Sequence, residues 1–359
     1  VKALPDFPWD RLAPYKERAS AHPGGITDLS VGTPVDPVPE SVRQALAAAS
    51  DSPGYPLTYG TARLREAAAN RLRRNHGVAA DPAAVLPTIG SKELVAWLPT
   101  LLGVRPGQRV IFPELAYPTY DVGARLAGAE PYATDGLLAL GPEPVPLVWV
   151  NSPSNPTGRV LPAEHLRKVV SWARERGAVV ASDECYIDLG WEESPISILH
   201  PDVCGGSHEG LLAVHSLSKR SNLAGYRAAF VAGDPALIKA LLEVRKHAGM
   251  IMPAPVQAAM TAALDDDAHV VEQRERYAAR RAALRPALTA AGWEIEHSEA
   301  GLYLWASNGA DCWEQVAELA AKGILVTPGD IYGPTGSRHI RVAITASDER
   351  IDAAVSRLQ

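Results

Sequence analysis

Between residues 85 and 232 the chain alternates short, almost wholly apolar runs with longer stretches whose apolar side chains recur every three or four positions. The runs at 85–89, 109–113, 147–151, 179–183, 211–215 and 228–232 are short and rich in Val, Ile, Leu and Ala, which predicts buried strands. The stretches 91–102, 163–176 and 235–247 carry the helical period. Strands apolar on both faces and joined through helices predict an α/β fold, a mostly parallel sheet sandwiched by helices with ligands beyond the strand ends. After residue 265 the pattern changes to a long charged helix over 267–291, short strands at 301–306 and 339–344, and a helix over 313–322. A smaller α+β domain formed by 1–33 and 272–359, beside a large domain over 34–271, is the expected organisation.

Composition narrows the classes of function. With 359 residues and 47% hydrophobic side chains the chain can bury a large core. A net charge of -6 with no Lys/Arg-rich block argues against a nucleic-acid partner. No apolar run reaches spanning length, and Pro5, Asp6, Pro8 and Asp10 interrupt the start where a secretion signal would be unbroken, so a cytoplasmic protein without membrane attachment is expected. Cys185, Cys204 and Cys312 are too widely spaced for a disulfide framework or paired CxxC units, and reduced thiols are expected. His200, Cys204 and His208 fall four apart, but Pro201 and Gly205-Gly206 break the helix that would gather them, so no metal site is expected.

Four segments carry candidate chemistry. In Thr88-Ile89-Gly90-Ser91-Lys92-Glu93 a strand runs through Gly-Ser directly into a helix, where free N–H groups and a hydroxyl suit a phosphate; a plain turn capped by Ser91 accounts for it equally. His215-Ser216-Leu217-Ser218-Lys219 ends a core strand in a lysine, with Arg227 opening the next strand. Such a lysine is paired, snorkelling to solvent or covalently used, and Ser216, Ser218 and Arg227 are suited to a phosphate dianion. A free lysine titrates near 10.4, so burial or nearby cations must offset a handicap of roughly 4 kcal/mol before it acts as a nucleophile at neutral pH. The strand through Ala181-Ser182-Asp183-Glu184-Cys185-Tyr186 ends in two acids and a tyrosine, which fits a cap, a surface ion pair, or an aspartate that keeps a pyridine nitrogen protonated. Period-two geometry would put Cys185 on the side of Asp183. Asn151-Ser152-Pro153-Ser154-Asn155-Pro156-Thr157-Gly158 leaves the sheet as a loop stiffened by two prolines, able to hold the Asn155 amide rigidly in an extended or cis geometry.

Taken in order along nearly the whole chain, these segments resemble the class I and II aminotransferases of the pyridoxal 5'-phosphate (PLP) fold type I. The resemblance implies that Lys219 holds PLP covalently. It also implies that Gly90, Ser91, Lys92 (through its backbone), Ser216, Ser218 and Arg227 surround the phosphate, and that Tyr117 stacks on the ring. Asn155 and Tyr186 would bond the phenolic oxygen and Asp183 the ring nitrogen. Tyr55 resembles the tyrosine that reaches the phosphate of the neighbouring subunit, which implies a homodimer with shared sites. Arg341 falls where the family binds the substrate α-carboxylate, with Asn155 beside it and Gly32 in the loop that closes over it. Residues 216–227 and 247–259 are similar to N-succinyldiaminopimelate aminotransferases, which implies glutamate as donor, N-succinyl-2-amino-6-oxopimelate as acceptor and a place in lysine and cell-wall biosynthesis. His247 is then a candidate lining residue. Two departures stand out: 129–146 is short enough to have lost an edge strand or surface excursion, and Cys185 stands where an aliphatic residue is usual. A C–S lyase, or an aminotransferase for aspartate, alanine or aromatic acids, would use the same Lys219 and Arg341. A DNA-binding regulator on this scaffold would need an appended domain, for which 1–28 is too short.

Overall fold

Successive side chains of a strand point to opposite faces, so a strand apolar throughout feeds two cores at once. In the computed structural model, which describes residues 4–137, 140–141 and 143–359, the strands in chain order are β1 (Thr27–Asp28), β2 (Val85–Ile89), β3 (Arg109–Phe112), β4 (Glu130–Ala133), β5 (Leu147–Asn151), β6 (Val179–Asp183), β7 (Leu211–Ser216), β8 (Ala228–Gly233), β9 (Glu294–Glu296), β10 (Tyr303–Ser307), β11 (Ile324–Leu325), β12 (Thr327–Pro328) and β13 (Ile340–Ala343). Seven of them form the main sheet in the order β2-β8-β7-β6-β5-β3-β4. Val148, Val180, Leu211 and Ala213 enter the core on one face, under helices Ala62–His76, Ala163–Arg176 and Ala254–Asp265. Leu147, Trp149, Ala181, Leu212 and Val214 enter the core on the other, under Ser91–Leu101, Thr119–Ala127 and Pro235–Ala248. Each large aliphatic side chain so buried contributes roughly 1.5–3 kcal/mol over the exposed state.

Helix limits follow from their end residues. Asp234 accepts from the Ala236 N–H at 2.7 Å, Pro235 opens the helix, and Gly249 at φ 67° closes it. Pro lacks only a donor the first turn cannot use, and glycine takes the left-handed conformation without a Cβ clash.

The main sheet is mostly parallel, as expected, with two details that the sequence does not specify. The pairs from β4 through β7 are parallel, as expected, but β8 runs antiparallel to both β2 and β7. Hydrophobicity reports burial on both faces and is silent on direction. The interval 129–146 also retains an edge strand, β4, paired with β3; residues 138, 139 and 142 of that interval lie outside the described residues.

The C-terminal part forms a second sheet, β12-β13-β10-β9, antiparallel throughout. β1 reaches across from the N-terminal part to pair with β11. A third core joins Leu29 to Tyr277 and Leu284 of the long helix Ala268–Ala290 and to Leu304, Val316 and Val342. Among the described residues no helix is long and apolar enough to cross a membrane. All three cysteines are free. His200 caps the turn Pro201–Cys204 by accepting from the Asp202 N–H at 3.2 Å, and the His208 ring and the Cys204 thiol both lie against the Leu199 carbonyl.

Candidate active site

Strand register gathers the candidate residues. Asn151 pairs with Asp183, Ser216 with Ala229, and Ile89 with Ala228. The C-terminal ends of β2, β5, β6 and β7 therefore lie along one edge, and the reversed β8 begins at that edge, delivering Arg227. A single helical turn, Leu217–Arg220, follows β7; Ser216 caps it by accepting from the Ser218 N–H at 3.1 Å, and the turn carries Lys219 over the edge. A cavity of about 440 Å³ opens there. Gly32, Ser91, Lys92, Tyr117, Asn155, Asp183, Tyr186, Ser216, Ser218, Lys219, Arg227 and Arg341 all line it.

One end is built for an anion. Gly90 sits at φ 77°, and a Cβ there would collide with the Arg227 guanidinium. Arg227 itself is left-handed at φ 57°, steadied by donating to the Ala224 carbonyl at 2.8 Å. The helix starting at Ser91 adds its N-terminus to the Ser91, Ser216 and Ser218 side chains. Burial lowers the Lys92 pKa, and Arg227 nearby lowers it further.

The centre holds an acid and an amine in opposite predicaments. Asp183 accepts from the Tyr120 hydroxyl at 2.9 Å and the Cys185 N–H at 3.2 Å, and burial raises its pKa. Among the described residues it has no ion-pair partner. The Lys219 amine donates to the Gly32 carbonyl, and burial lowers its pKa with help from Arg341. A buried amine pushed toward neutrality is a better nucleophile and base. Burial also pushes the Tyr117 phenol up to about 12, so it stays neutral.

The far end presents a guanidinium, a group suited to a carboxylate. Arg341 donates to Asn155 Oδ1 at 2.9 Å and the Ser30 carbonyl at 2.6 Å, and its guanidinium lies 3.9 Å from the centroid of the Tyr303 ring. Among the described residues its buried Nε–H has no hydrogen-bond partner. The loop that presents Asn155 is fastened to the sheet, since Asn151 accepts from the Asn155 N–H at 2.7 Å and donates to the Asp183 carbonyl at 2.9 Å. Both X–Pro bonds of that loop, Ser152-Pro153 and Asn155-Pro156, are cis.

Two expected placements, those of His247 and Cys185, differ. Tyr55 is fully exposed and stays outside the cavity of its own chain. His247 is exposed at the end of its helix and does not line the cavity. Cys185 does reach the cavity beside Asp183, but from a turn, because the strand ends at Asp183. Tyr120 and Tyr303 went unnoticed in the sequence. The apolar face of Thr119–Ala127 marks Tyr120 as core, but nothing local reports that its hydroxyl meets Asp183. A second chamber of about 580 Å³ shares Phe7, Trp9, Lys92 and Tyr117 with the first and extends to Phe112 and Tyr332.

An anion cradle in which glycine cannot be replaced, a buried carboxylate without a cation and a buried amine match the phosphate, ring nitrogen and aldehyde of PLP. Comparison with known proteins points the same way. The family "Aminotransferase class I and II" matches residues 25–358. The chain is 62% identical over 358 residues, all of both chains, to the 4-dedimethylamino-4-oxo-anhydrotetracycline transaminase OxyQ of Streptomyces rimosus. It is 64% identical over 357 residues to a probable aminotransferase of Mycobacterium tuberculosis, covering 99% of this chain and 85% of that one. Among solved structures, the N-succinyldiaminopimelate aminotransferase of Mycobacterium tuberculosis superposes with a TM-score of 0.86 at 29% identity, covering 97% of this chain and 98% of that one.

Proposed function

The chain belongs to the class I and II aminotransferases, which are PLP-dependent enzymes, and we propose that it transfers the amino group of glutamate to N-succinyl-2-amino-6-oxopimelate using the cavity at the strand ends. One observation carries the site assignment: Lys219, Asp183 and Arg341 converge there, an amine, a carboxylate lacking a cation and a guanidinium with a buried unpartnered N–H. In this reading Gly90, Ser91, Lys92, Ser216, Ser218 and Arg227 hold the phosphate, and Lys219 holds the aldehyde carbon covalently. Tyr117 packs on the ring, while Asn155 and Tyr186 meet the phenolic oxygen. Tyr55 comes from the partner in a homodimer.

The division of labour follows from the environments. Arg341, held by Asn155 and Ser30, grips the substrate α-carboxylate and fixes which bond at Cα faces Lys219. Once the substrate's own amino group has taken its place, the freed Lys219 amine, made easier to deprotonate by burial, would take the Cα proton and pass it on within the site. When bound, PLP supplies the electron sink for the pair that proton leaves behind. Asp183 would pair with the protonated ring nitrogen and is not the base; the Tyr120 hydroxyl, donating to it, fixes the carboxylate in place. The Gly32 carbonyl accepts from the amine and so places the N-terminal loop beside it.

For the acceptor, likeness to the N-succinyldiaminopimelate aminotransferase supports a long, branched keto acid. The second chamber, with Phe7, Trp9, Phe112 and Tyr332 in its wall, favours a second reading, a ring-bearing keto acceptor of the kind in the name of OxyQ. Protein loaded with PLP should lose its visible absorbance on adding glutamate and release 2-oxoglutarate. N-succinyl-2-amino-6-oxopimelate should then restore the absorbance faster than oxaloacetate, pyruvate or an aromatic keto acid. Faster recovery with a polycyclic ketone would select the second reading, and pyruvate, ammonia and a thiol formed from a cysteine S-conjugate without acceptor would select a lyase.

A further inference from the structure

β10 pairs with β13 so that Trp305 lies opposite Arg341 and Tyr303 opposite Ala343. Period two then puts Tyr303 on the same face as Trp305 and Arg341, one step nearer the cavity it helps to line. Its ring face meets the Arg341 guanidinium at 3.9 Å. Its hydroxyl lies 3.1 Å from the Tyr186 hydroxyl. A Cβ at Gly32 would strike the same hydroxyl, so the loop whose Gly32 carbonyl receives the Lys219 amine closes directly over Tyr303. One buried side chain thus touches the carboxylate-binding guanidinium, the phenol assigned to the cofactor oxygen and the loop that holds the amine.

We propose that Tyr303 is a positioning residue for amino transfer: its ring orients Arg341, and its hydroxyl donates to the Tyr186 oxygen so that the Tyr186 proton is aimed at the cofactor's phenolic oxygen. This rests on the PLP reading above. Two phenols at hydrogen-bond distance share one proton bridge, and the more acidic one donates. Burial raises both phenols, but the Arg341 guanidinium, 3.9 Å from the Tyr303 ring, draws that phenol down, while Tyr186 stays well above its ordinary value. The cation seated against its ring makes Tyr303 the donor of the pair in this proposal. The Tyr186 O–H is left free to point into the cavity.

Tyr303→Phe removes the hydroxyl and keeps the ring; Tyr303→Leu removes both. Loaded with PLP, the Phe variant should keep the KM for glutamate within about twofold and lose roughly tenfold in kcat, the low end of what outer partners of active-site groups contribute. The pH midpoint of its bound chromophore should move upward, because a weaker donor to the phenolic oxygen stabilises the deprotonated form less. The Leu variant should in addition raise the KM for glutamate roughly tenfold, since the guanidinium has lost its ring face. A Phe variant with wild-type kcat and an unmoved chromophore midpoint overturns the hydroxyl's role, and a Leu variant with an unchanged KM overturns the ring's. Wild-type protein that takes up no chromophore overturns the cofactor reading instead, so the two failures are separable.

Discussion

Asp183 shows how much one side chain's surroundings determine. It is buried, accepts from the Tyr120 hydroxyl and the Cys185 N–H, and among the described residues has no ion pair, and burial raises its pKa. A carboxyl whose folded pKa lies above its unfolded one binds protons more tightly in the native state, so stability is lost as pH rises through the folded value. The empty protein therefore carries a cost at neutral pH that a cationic ring nitrogen would remove. Asp183→Asn should melt, without cofactor at neutral pH, at a temperature no lower than the unchanged protein. With PLP bound, the same variant should lose about a hundred- to a thousandfold in the rate of the glutamate half-reaction, because an amide cannot hold a proton on the ring nitrogen. A melt well below wild type, or single-turnover rates within a few fold of it, would contradict this assignment of roles.

At the scale of elements, the central strands were legible because burial on both faces leaves an unbroken apolar run, and the segments around Gly90, Asp183 and Lys219 were legible because each interrupts that run with polar residues at the strand end. The direction of β8 was not, since a reversed strand buried on both faces has the same composition as a parallel one. Yet that reversal explains why Arg227, which precedes its strand, meets Gly90, which follows its own. Tyr303 was invisible for a related reason: its partners Arg341, Tyr186 and Gly32 are remote in sequence, the first brought to it by strand pairing in the second sheet and the other two by the segments that follow β6 and β1, strands of the other two sheets. Gly90→Ala tests the convergence. A Cβ at φ 77° is strained and aimed at the Arg227 guanidinium, which should cost roughly 1–3 kcal/mol of stability and weaken PLP binding about a hundredfold. Titration of apoprotein with PLP beside a thermal melt separates the two effects, and unchanged PLP affinity would mean that the phosphate does not sit between Gly90 and Arg227.

At the scale of the whole molecule, Tyr55 is the residue whose proposed role one chain cannot fulfil. It is fully exposed, and Leu57 and Val35 are exposed apolar neighbours in sequence or at the rim of the site loop. In the dimer reading each cavity takes Lys219 from one subunit and Tyr55 from the other. Hybrid dimers distinguish this from a single-chain site. Tyr55→Phe homodimers should bind PLP about tenfold more weakly through loss of one hydroxyl donor to phosphate, and Lys219→Ala homodimers should be inactive. A hybrid of one Lys219→Ala and one Tyr55→Phe subunit should contain one cavity with Lys219 and an intact Tyr55 donated across the interface, and so should recover wild-type PLP affinity at half the activity per dimer. If Tyr55 served its own chain, the cavity with Lys219 in that hybrid would still lack the hydroxyl, and PLP affinity would stay at the weakened value. Affinity measured on purified hybrid, with differently tagged subunits, therefore reads out which chain completes the site.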